Sequence, residues 1–152
     1  SLMHMHPPDA VIVLRRKNLL ARYLSACIAG QHGRYHVYAE ANIAPPRPVT
    51  VDVNAALQSF AWHDDELQAD VAAYENVAVA HISYETLRDD WADETAQLQS
   101  FLGVEPRAIF PETKKQSRFS CCRHLIENVD EVCAAIKASR WSNHLDEWLE
   151  TN

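Results

Sequence analysis

The chain has 152 residues, of which 47% are hydrophobic and 23% charged, and its formal net charge at pH 7 is −7. This length suits one ordinary domain, and the composition is that of a globular protein. The negative charge argues against a general nucleic-acid or anionic-membrane surface. No apolar run approaches the roughly 20 residues that a membrane-spanning helix needs, so we expect no membrane span and a cytoplasmic protein.

Two apolar segments predict strands. Residues 1–9, rich in His, Met and Pro, are expected to be disordered or tag-derived, and residues 10–152 to form a single α/β domain. Its first strand is predicted at Ala10–Leu14, buried on both faces because every residue is apolar. A second apolar run predicts a strand at Val77–Ile82. Helical patterns follow both strands, so the expected fold class is α/β with a short parallel sheet flanked by helices.

Helical patterns account for much of the remaining chain. Asn18 is a suitable N-cap for the first helix, which Gly30 or Gly33 ends. Asp52 can cap the second helix, in which Asp64 falls on the apolar stripe and predicts a kink or break near His63–Asp65. Three further helices are predicted from the apolar positions of residues 91–102, 125–136 and 141–149. Two strands are few for a parallel sheet, so we expect the sheet to belong to a larger one or to be completed by association, as in a homodimer.

The cations are concentrated in two windows without any Asp or Glu. They are Arg15, Arg16, Lys17 and Arg22, and then Lys114, Lys115, Arg118 and Arg123. In an acidic protein this distribution suggests a confined anion site, and the alternative is solvated surface charge at both places. The second window lies in a predicted long loop, residues 104–120, and loops of this length in a compact domain are usually functional.

The first window predicts an anion site at the C-terminal end of a strand, where open α/β sheets bind their ligands. An arginine offers a planar, two-pronged donor for phosphate. If Asn18 caps the helix, Ser25 lies two turns in, about 10 Å along the axis, so that only its hydroxyl can reach a ligand. Arg22 shares that flank of the helix, three residues before Ser25. We therefore expect the anion beside the helix rather than at its N-terminus.

Tyr84 and Glu85 follow the second strand directly. If the strands are parallel, both residues lie at the same sheet edge as Arg16. The ring of Tyr84 can stack on a base or bond to it, and the alternatives are that Tyr84 closes the core and that Glu85 caps the next helix. On the predicted loop, the groups that could clamp the same anion are Lys114, Lys115 and Gln116.

The four cysteines, Cys27, Cys121, Cys122 and Cys133, lack the spacing of a disulfide framework. A zinc site could be drawn from Cys121, Cys122 and Cys133 together with His124, but the chain has no CxxC pair. We interpret the cysteines as reduced, small hydrophobic residues and predict no metal site.

Five motifs occur in one order along residues 10–150: LRRKN continued by LLARYLS, then ISYETL, FLGVEP, TKKQS and HLIENVDEV. Together they resemble the C-terminal portion of a sulfotransferase, of the nodulation-type and marine bacterial kind. The resemblance implies a partial P-loop-kinase-like fold with a parallel sheet. It also implies transfer of a sulfuryl group from 3′-phosphoadenosine 5′-phosphosulfate to a hydroxyl acceptor such as a carbohydrate, leaving adenosine 3′,5′-bisphosphate.

The resemblance also implies roles for individual residues. Arg16, with Arg15 as second choice, and Ser25 hold the 3′-phosphate of the donor, while Tyr84 neighbours the adenine. The basic loop that meets the same phosphate comprises Lys114, Lys115 and Gln116. No general base is assigned. The weak candidates are His32 and His36, which follow the first helix and could face an acceptor, or could be ordinary surface or packing histidines.

One part of the sulfotransferase pattern is not found in the sequence. The turn that holds the 5′-phosphosulfate is rich in Gly, Ser and Thr, contains Lys or Arg, and should precede Val11. The only glycines, Gly30, Gly33 and Gly103, do not lie in such a turn. Because donors to the transferring group usually supply the largest catalytic contribution, we expect a sulfotransferase-like chain that is incomplete for transfer. The alternative is a non-catalytic module that binds a nucleotide 3′-phosphate.

Overall fold

The structure, a computed structural model, describes residues 8–33, 47–74, 76–111 and 121–150. The fold is mixed α/β. Its strands and α-helices are, in chain order, β1 (Ala10–Arg15), α1 (Leu19–His32), α2 (Val53–Ala73), β2 (Ala78–Ser83), α3 (Tyr84–Asp89), α4 (Trp91–Phe101), α5 (Val129–Lys137) and α6 (Leu145–Glu150). Short 3-10 helices lie at Cys122–Leu125 and Ser142–His144.

The described residues fall into two compact units, which the following paragraphs take separately. The first unit contains the described residues up to Lys17 together with His63–Phe110. The second contains the described residues of Asn18–Trp62 and Pro111–Asn152. None of the helices that the structure describes is both long enough and apolar enough to cross a membrane.

The first unit contains the sheet. β1 and β2 pair in parallel, in a register that runs from Ala10 opposite Ala78 to Arg15 opposite Ser83. The predicted parallel pairing is therefore confirmed. β1 begins at the predicted residue and ends one residue later than predicted, and β2 is shifted by one residue toward the C-terminus. α3 and α4 follow β2 in the chain, contact each other and pack against β2.

The prediction that the first strand is buried on both faces is wrong. Val13 is buried, but Ile12 and Leu14 expose 38% and 56% of their surfaces. α3 and α4 pack against β2, and the outward-facing side chains of β1 stay exposed. A run of apolar residues shows only that a strand is suited to burial. Whether both of its faces are buried depends on the helices that pack against the sheet.

The second unit has an apolar core with aromatic rings at its centre. Phe60 on α2 meets Trp141 and Trp148 edge to face, with ring centroids 5.4 Å apart in both pairs. Such arrangements place the positive edge of one ring against the negative face of another. The fully enclosed aliphatic residues around them come from α1, α5, α6 and the first 3-10 helix, and include Leu20, Leu24, Leu125, Ile136 and Leu149.

The ends of α1 follow the predicted caps. The Asn18 side chain accepts a hydrogen bond from the amide of Ala21 at 2.8 Å. At the other end Gly33, with φ of 61°, donates its amide to Ala29 and Gly30. This left-handed conformation is strained for residues with a side chain. Of the two glycines predicted as possible ends, α1 passes through Gly30 and ends at Gly33.

Two other helices differ from the prediction. α2 starts after Asp52, whose carboxylate accepts from the amide of Ala55, and it continues without a break through His63–Asp65. The helix predicted from residue 125 begins only at Val129. After the 3-10 helix Cys122–Leu125, Ile126 is extended and pairs with Val49, because the amide of Val49 donates to Leu125 and the amide of Glu127 donates to Val49.

Candidate functional site

The C-terminal edge of the two-stranded sheet brings together side chains from both strand ends. Because Arg15 lies opposite Ser83 in the parallel register, Arg16 and Lys17 emerge at the same edge as Tyr84. This confirms the predicted juxtaposition of Arg16 with the residues that follow β2. We call Arg15–Lys17 together with Ser83–Glu85 the strand-end corner.

Arg16 stacks on Tyr84 in this corner. The guanidinium carbon lies 4.5 Å from the centroid of the ring, and both side chains are half-buried. A cation over the face of an aromatic ring is attracted by the ring's negative face, by about 0.5–2 kcal/mol depending on desolvation. The contact holds the charged guanidinium over the ring at the edge of the sheet. Tyr84 therefore positions the arginine, a residue type whose planar, two-pronged donor geometry suits phosphate.

Glu85 adds a negative charge to the same corner. Its carboxylate accepts a hydrogen bond from the backbone amide of Lys17 at 3.0 Å. Glu85 stands in the first turn of α3, where a carboxylate is favoured by the helix dipole. It thus ties the chain after β1 to the helix after β2, and it occupies a backbone amide that an anion at this corner could otherwise use.

Ser83 caps α3, the role that had been considered for Glu85. The Ser83 hydroxyl accepts from the amide of Thr86 at 3.0 Å, and the Thr86 hydroxyl donates to the carbonyl oxygen of Ser83 at 3.0 Å. Ser83 is buried, with 5% of its surface exposed. These reciprocal bonds start α3 directly at the end of β2 and fix the direction in which Tyr84 and Glu85 leave the sheet.

A nearby arginine is neutralised by its neighbour. Arg88 donates from Nε and Nη2 to the carboxylate of Asp89, at 2.6 and 2.9 Å. The hydrogen bonds to Asp89 raise the pKa of Arg88, with burial opposing and Tyr84 and Glu85 adding to the effect. Arg88 therefore adds little net charge to the corner.

Two of the predicted anion-binding residues lie on α1 in the second unit. Ser25 is on the exposed side of α1, and its hydroxyl donates to the carbonyl oxygen of Ala21 at 2.8 Å. The amide of Arg22 donates to the carbonyl oxygen of Asn18 within the first turn, and its side chain is exposed. Ser25 can therefore donate to a ligand only by giving up its bond to Ala21.

Several predicted residues are outside what can be described. Lys114, Lys115 and Gln116, as well as His36, lie outside the described residues. His32 is the last residue of α1. The predictions for these five residues stay predictions.

One pair of side chains was not singled out by sequence reasoning. Cys121 Sγ lies 3.6 Å from His124 Nδ1 at the start of the first 3-10 helix. The spacing Cys-x-x-His was visible in the sequence, but the two residues were considered only as parts of a larger zinc site. Within the described ranges, no three His, Cys, Asp or Glu side chains form a group that could hold a metal ion.

The strand-end corner also contains residues that sequence reasoning undervalued. The signal for Ser83 was present as Ser-x-x-Thr at the end of an apolar run. The contact between Lys17 and Glu85 joins residues 68 positions apart, and no local pattern indicates it. Comparison of the chain with known protein families, with curated proteins and with solved structures gave no match.

Proposed function

We propose that the chain is sulfotransferase-like and binds the nucleotide donor 3′-phosphoadenosine 5′-phosphosulfate, or its product adenosine 3′,5′-bisphosphate. The observation that carries the proposal is the stacking of Arg16 on Tyr84 at one sheet edge. The two residues belong to separate motifs of the sulfotransferase resemblance. Their contact supports the idea that those motifs serve one ligand. It brings together an arginine that can donate hydrogen bonds to a phosphate and an aromatic ring that can contact a base.

The corner offers complementary chemistry to such a nucleotide. Arg15, the last residue of β1, and Arg16, which follows the strand, supply guanidinium groups that match phosphate geometry. The ring of Tyr84 has one face covered by Arg16, so an adenine would meet its other face, its edge or its hydroxyl. Because Glu85 repels anions from the Lys17 amide, we assign the phosphate to the arginine side chains instead of that amide.

Ser25 enters the proposal through the resemblance, which assigns it to the 3′-phosphate with Lys114, Lys115 and Gln116 from the basic loop. Arg22 is added because it lies three residues before Ser25 on the same helix. A phosphate dianion accepts hydrogen bonds and does not donate them, so Ser25 must turn its hydroxyl away from Ala21 to bind it. Exchanging one such bond for another is nearly neutral, because a net hydrogen bond is worth about 0.5–1.5 kcal/mol, or more when it is made to a charged group.

Transfer of the sulfuryl group is the further part of the proposal. It requires donors around the 5′-phosphosulfate, which in sulfotransferases come from a Gly-rich turn between a strand and a helix. Among the described glycines, the two with positive φ, Gly33 and Gly103, follow α1 and α4 instead of a strand. This observation favours the second candidate function, a module that binds the nucleotide without transferring its sulfuryl group.

Thermal unfolding in the presence of nucleotides tests the binding proposal. We expect adenosine 3′,5′-bisphosphate to raise the unfolding temperature more than adenosine 5′-monophosphate does, since ligand binding to the native state stabilises it. Arg16→Ala and Ser25→Ala should remove the difference. Arg107→Ala is the matched control, because Arg107 is an exposed arginine of the first unit. Equal shifts with the two nucleotides would overturn the assignment of the 3′-phosphate site.

A second experiment separates the two candidate functions. The full chain is incubated with donor labelled in the sulfuryl group and with a panel of hydroxyl acceptors, including carbohydrates. Labelled product that depends on Arg16 supports the sulfotransferase. Specific binding of adenosine 3′,5′-bisphosphate without labelled product supports the non-catalytic module.

A further inference from the structure

We propose that Cys121 and His124 form a thiol–imidazole pair that reacts with small disulfides, making Cys121 a site of reversible S-thiolation. The inference is independent of the nucleotide proposal, because neither side chain is assigned to the nucleotide. Its basis is the 3.6 Å separation of Cys121 Sγ and His124 Nδ1. This distance permits a hydrogen bond to sulfur, and thus transfer of the thiol proton to the ring.

The local fold places the two groups together. Cys121 immediately precedes the 3-10 helix Cys122–Leu125, and His124 lies one turn later. In a 3-10 helix residues three apart lie on the same side, so the imidazole is held beside the thiol. Leu125 is fully enclosed and anchors this turn in the core.

Burial distinguishes Cys121 from its neighbour in sequence. Cys122 is fully enclosed, and its sulfur is 3.9 Å from the side-chain nitrogen of Asn18. Cys121 retains 8% of its surface at the margin of the core, and the side chain of His124 is exposed. Cys121 is therefore the less enclosed of the two thiols and lies beside an exposed imidazole, whereas Cys122 is shielded.

A histidine beside the sulfur is typical of reactive cysteines. Arg123, between the two residues in sequence, is exposed and lies 3.7 Å from the carboxylate of Glu150, so its charge is balanced there.

The reaction is a thiol–disulfide exchange. With its proton on Nε2, the imidazole accepts the thiol proton of Cys121 at Nδ1, and the thiolate attacks one sulfur of the disulfide. A bond forms between Cys121 Sγ and that sulfur while the reagent's S–S bond breaks. The departing thiolate takes the proton from Nδ1 and leaves as a free thiol. The disulfide is the only oxidant, and Cys121 ends as a mixed disulfide.

The test uses 2-hydroxyethyl disulfide as the probe on the folded, full chain. The modification rate of each cysteine is followed by mass spectrometry of peptides, and Cys133, a half-buried thiol on α5, is the internal reference. General-base assistance is typically worth about 10²–10⁴-fold. We expect Cys121 to react at least about tenfold faster than Cys133, below the full range because of its partial burial.

Two histidine variants complete the test. His124→Asn keeps a polar group near the Nδ1 position but cannot accept the thiol proton, and it should bring the Cys121 rate down to that of Cys133. His144→Asn is the matched control, since His144 is another exposed histidine of the second unit, paired with Glu147. It should leave the Cys121 rate unchanged.

Two results would overturn the proposal. One is a Cys121 rate no greater than that of Cys133 in the unaltered chain. The other is an unchanged Cys121 rate in His124→Asn, measured where thermal unfolding shows the variant to be folded. If that variant does not fold, His124→Gln replaces it. The comparison of the Cys121 and Cys133 rates in the unaltered chain requires no variant.

Discussion

The side-chain nitrogen of Asn18 donates a hydrogen bond to the backbone carbonyl oxygen of Trp148, 3.0 Å away, while the oxygen of the same amide caps α1. Asn18 is buried, with 3% of its surface exposed. One amide thus joins the first turn of α1 to α6, and both of its ends are used. Buried amides that are satisfied in this way specify how elements pack.

Replacing Asn18 by Ala should destabilise the chain strongly. Loss of an N-cap costs about 1 kcal/mol, and a buried acceptor left without its donor costs about 1–3 kcal/mol more. We expect the free energy of unfolding, measured in urea, to fall by about 2–4 kcal/mol. Asn18→Asp should also destabilise, because it keeps the cap but turns an acceptor toward the Trp148 carbonyl.

The control for Asn18 is Asn54→Ala, at an exposed position near the start of α2. It should change the free energy of unfolding by less than about 0.5 kcal/mol. An Asn18→Ala variant as stable as this control would show that the amide bridge contributes little.

Arg16→Lys should weaken binding of adenosine 3′,5′-bisphosphate by about tenfold, which corresponds to about 1.4 kcal/mol. Lysine keeps the charge, but it loses the planar fork and the flat face that stacks on Tyr84. The dissociation constant is measured by isothermal titration calorimetry. Arg107→Lys, at an exposed position of the same unit, should bind as the unaltered chain does. Unchanged affinity in Arg16→Lys would show that charge alone matters at this position.

Glu85→Gln should strengthen nucleotide binding. The side-chain carbonyl oxygen of the introduced glutamine can still accept the amide of Lys17, so the local structure is kept while one negative charge leaves the corner. Two unit charges a few ångströms apart near a protein surface interact by about 1–4 kcal/mol before screening, so we expect affinity to rise by about three- to tenfold at low salt. The gain should shrink at high salt.

Glu105→Gln tests whether any lost carboxylate has this effect. Glu105 is an exposed acid of the first unit with the same formal charge. Equal gains in the Glu85 and Glu105 variants would indicate a change in net charge alone, and would contradict a local role for Glu85.

Ser83→Ala should lower the free energy of unfolding by about 1–2 kcal/mol, because the amide of Thr86 loses its capping oxygen in a buried position. Ser83→Thr keeps the hydroxyl and should recover most of the loss. Urea unfolding followed by circular dichroism measures both. Ser100→Ala, on the exposed side of α4, is the control. If Ser83→Ala matched Ser100→Ala, the start of α3 would not depend on this cap.

The features that could be predicted from the sequence depend on neighbouring residues. Asn18 caps its helix through an amide three residues away, and Gly33 ends the same helix because its own backbone adopts a positive φ. The juxtaposition of Arg16 and Tyr84 was also accessible, because parallel strands bring their C-terminal ends to one edge. For the two caps a short stretch of sequence carries the physical cause, and for the juxtaposition the cause is the parallel pairing of two strands that were both predicted.

The features that were missed depend on distant parts of the chain. The exposure of Leu14 depends on which helices cover β1, and the late start of α5 depends on Val49, whose amide and carbonyl bond to Leu125 and Glu127 and hold Ile126 extended between them. The contact of Glu85 with the Lys17 amide likewise requires the strands to be in register first. Local propensity does not contain these tertiary contacts.

Alkaline pH should destabilise the second unit through two neighbouring groups on α1. Burial raises the pKa of the Cys27 thiol, although its hydrogen bond with Tyr23 opposes the shift. The pKa of Tyr23 is raised by burial, then by the charges of Cys27 and Asp52. Each acid therefore holds its proton more tightly in the folded chain than in the unfolded one. Their contribution is fully present below the unfolded-state pKa values and is lost as pH rises above them.

The loss should start near the ordinary thiol pKa of about 8.5 and continue past the ordinary tyrosine pKa of about 10. We expect the free energy of unfolding, measured in urea at a series of pH values, to fall across this range. Cys27→Ala should flatten the lower part of the curve, and Tyr23→Phe the upper part, since neither new side chain ionises. Curves for both variants parallel to that of the unaltered chain would show that these two groups do not cause the alkaline loss.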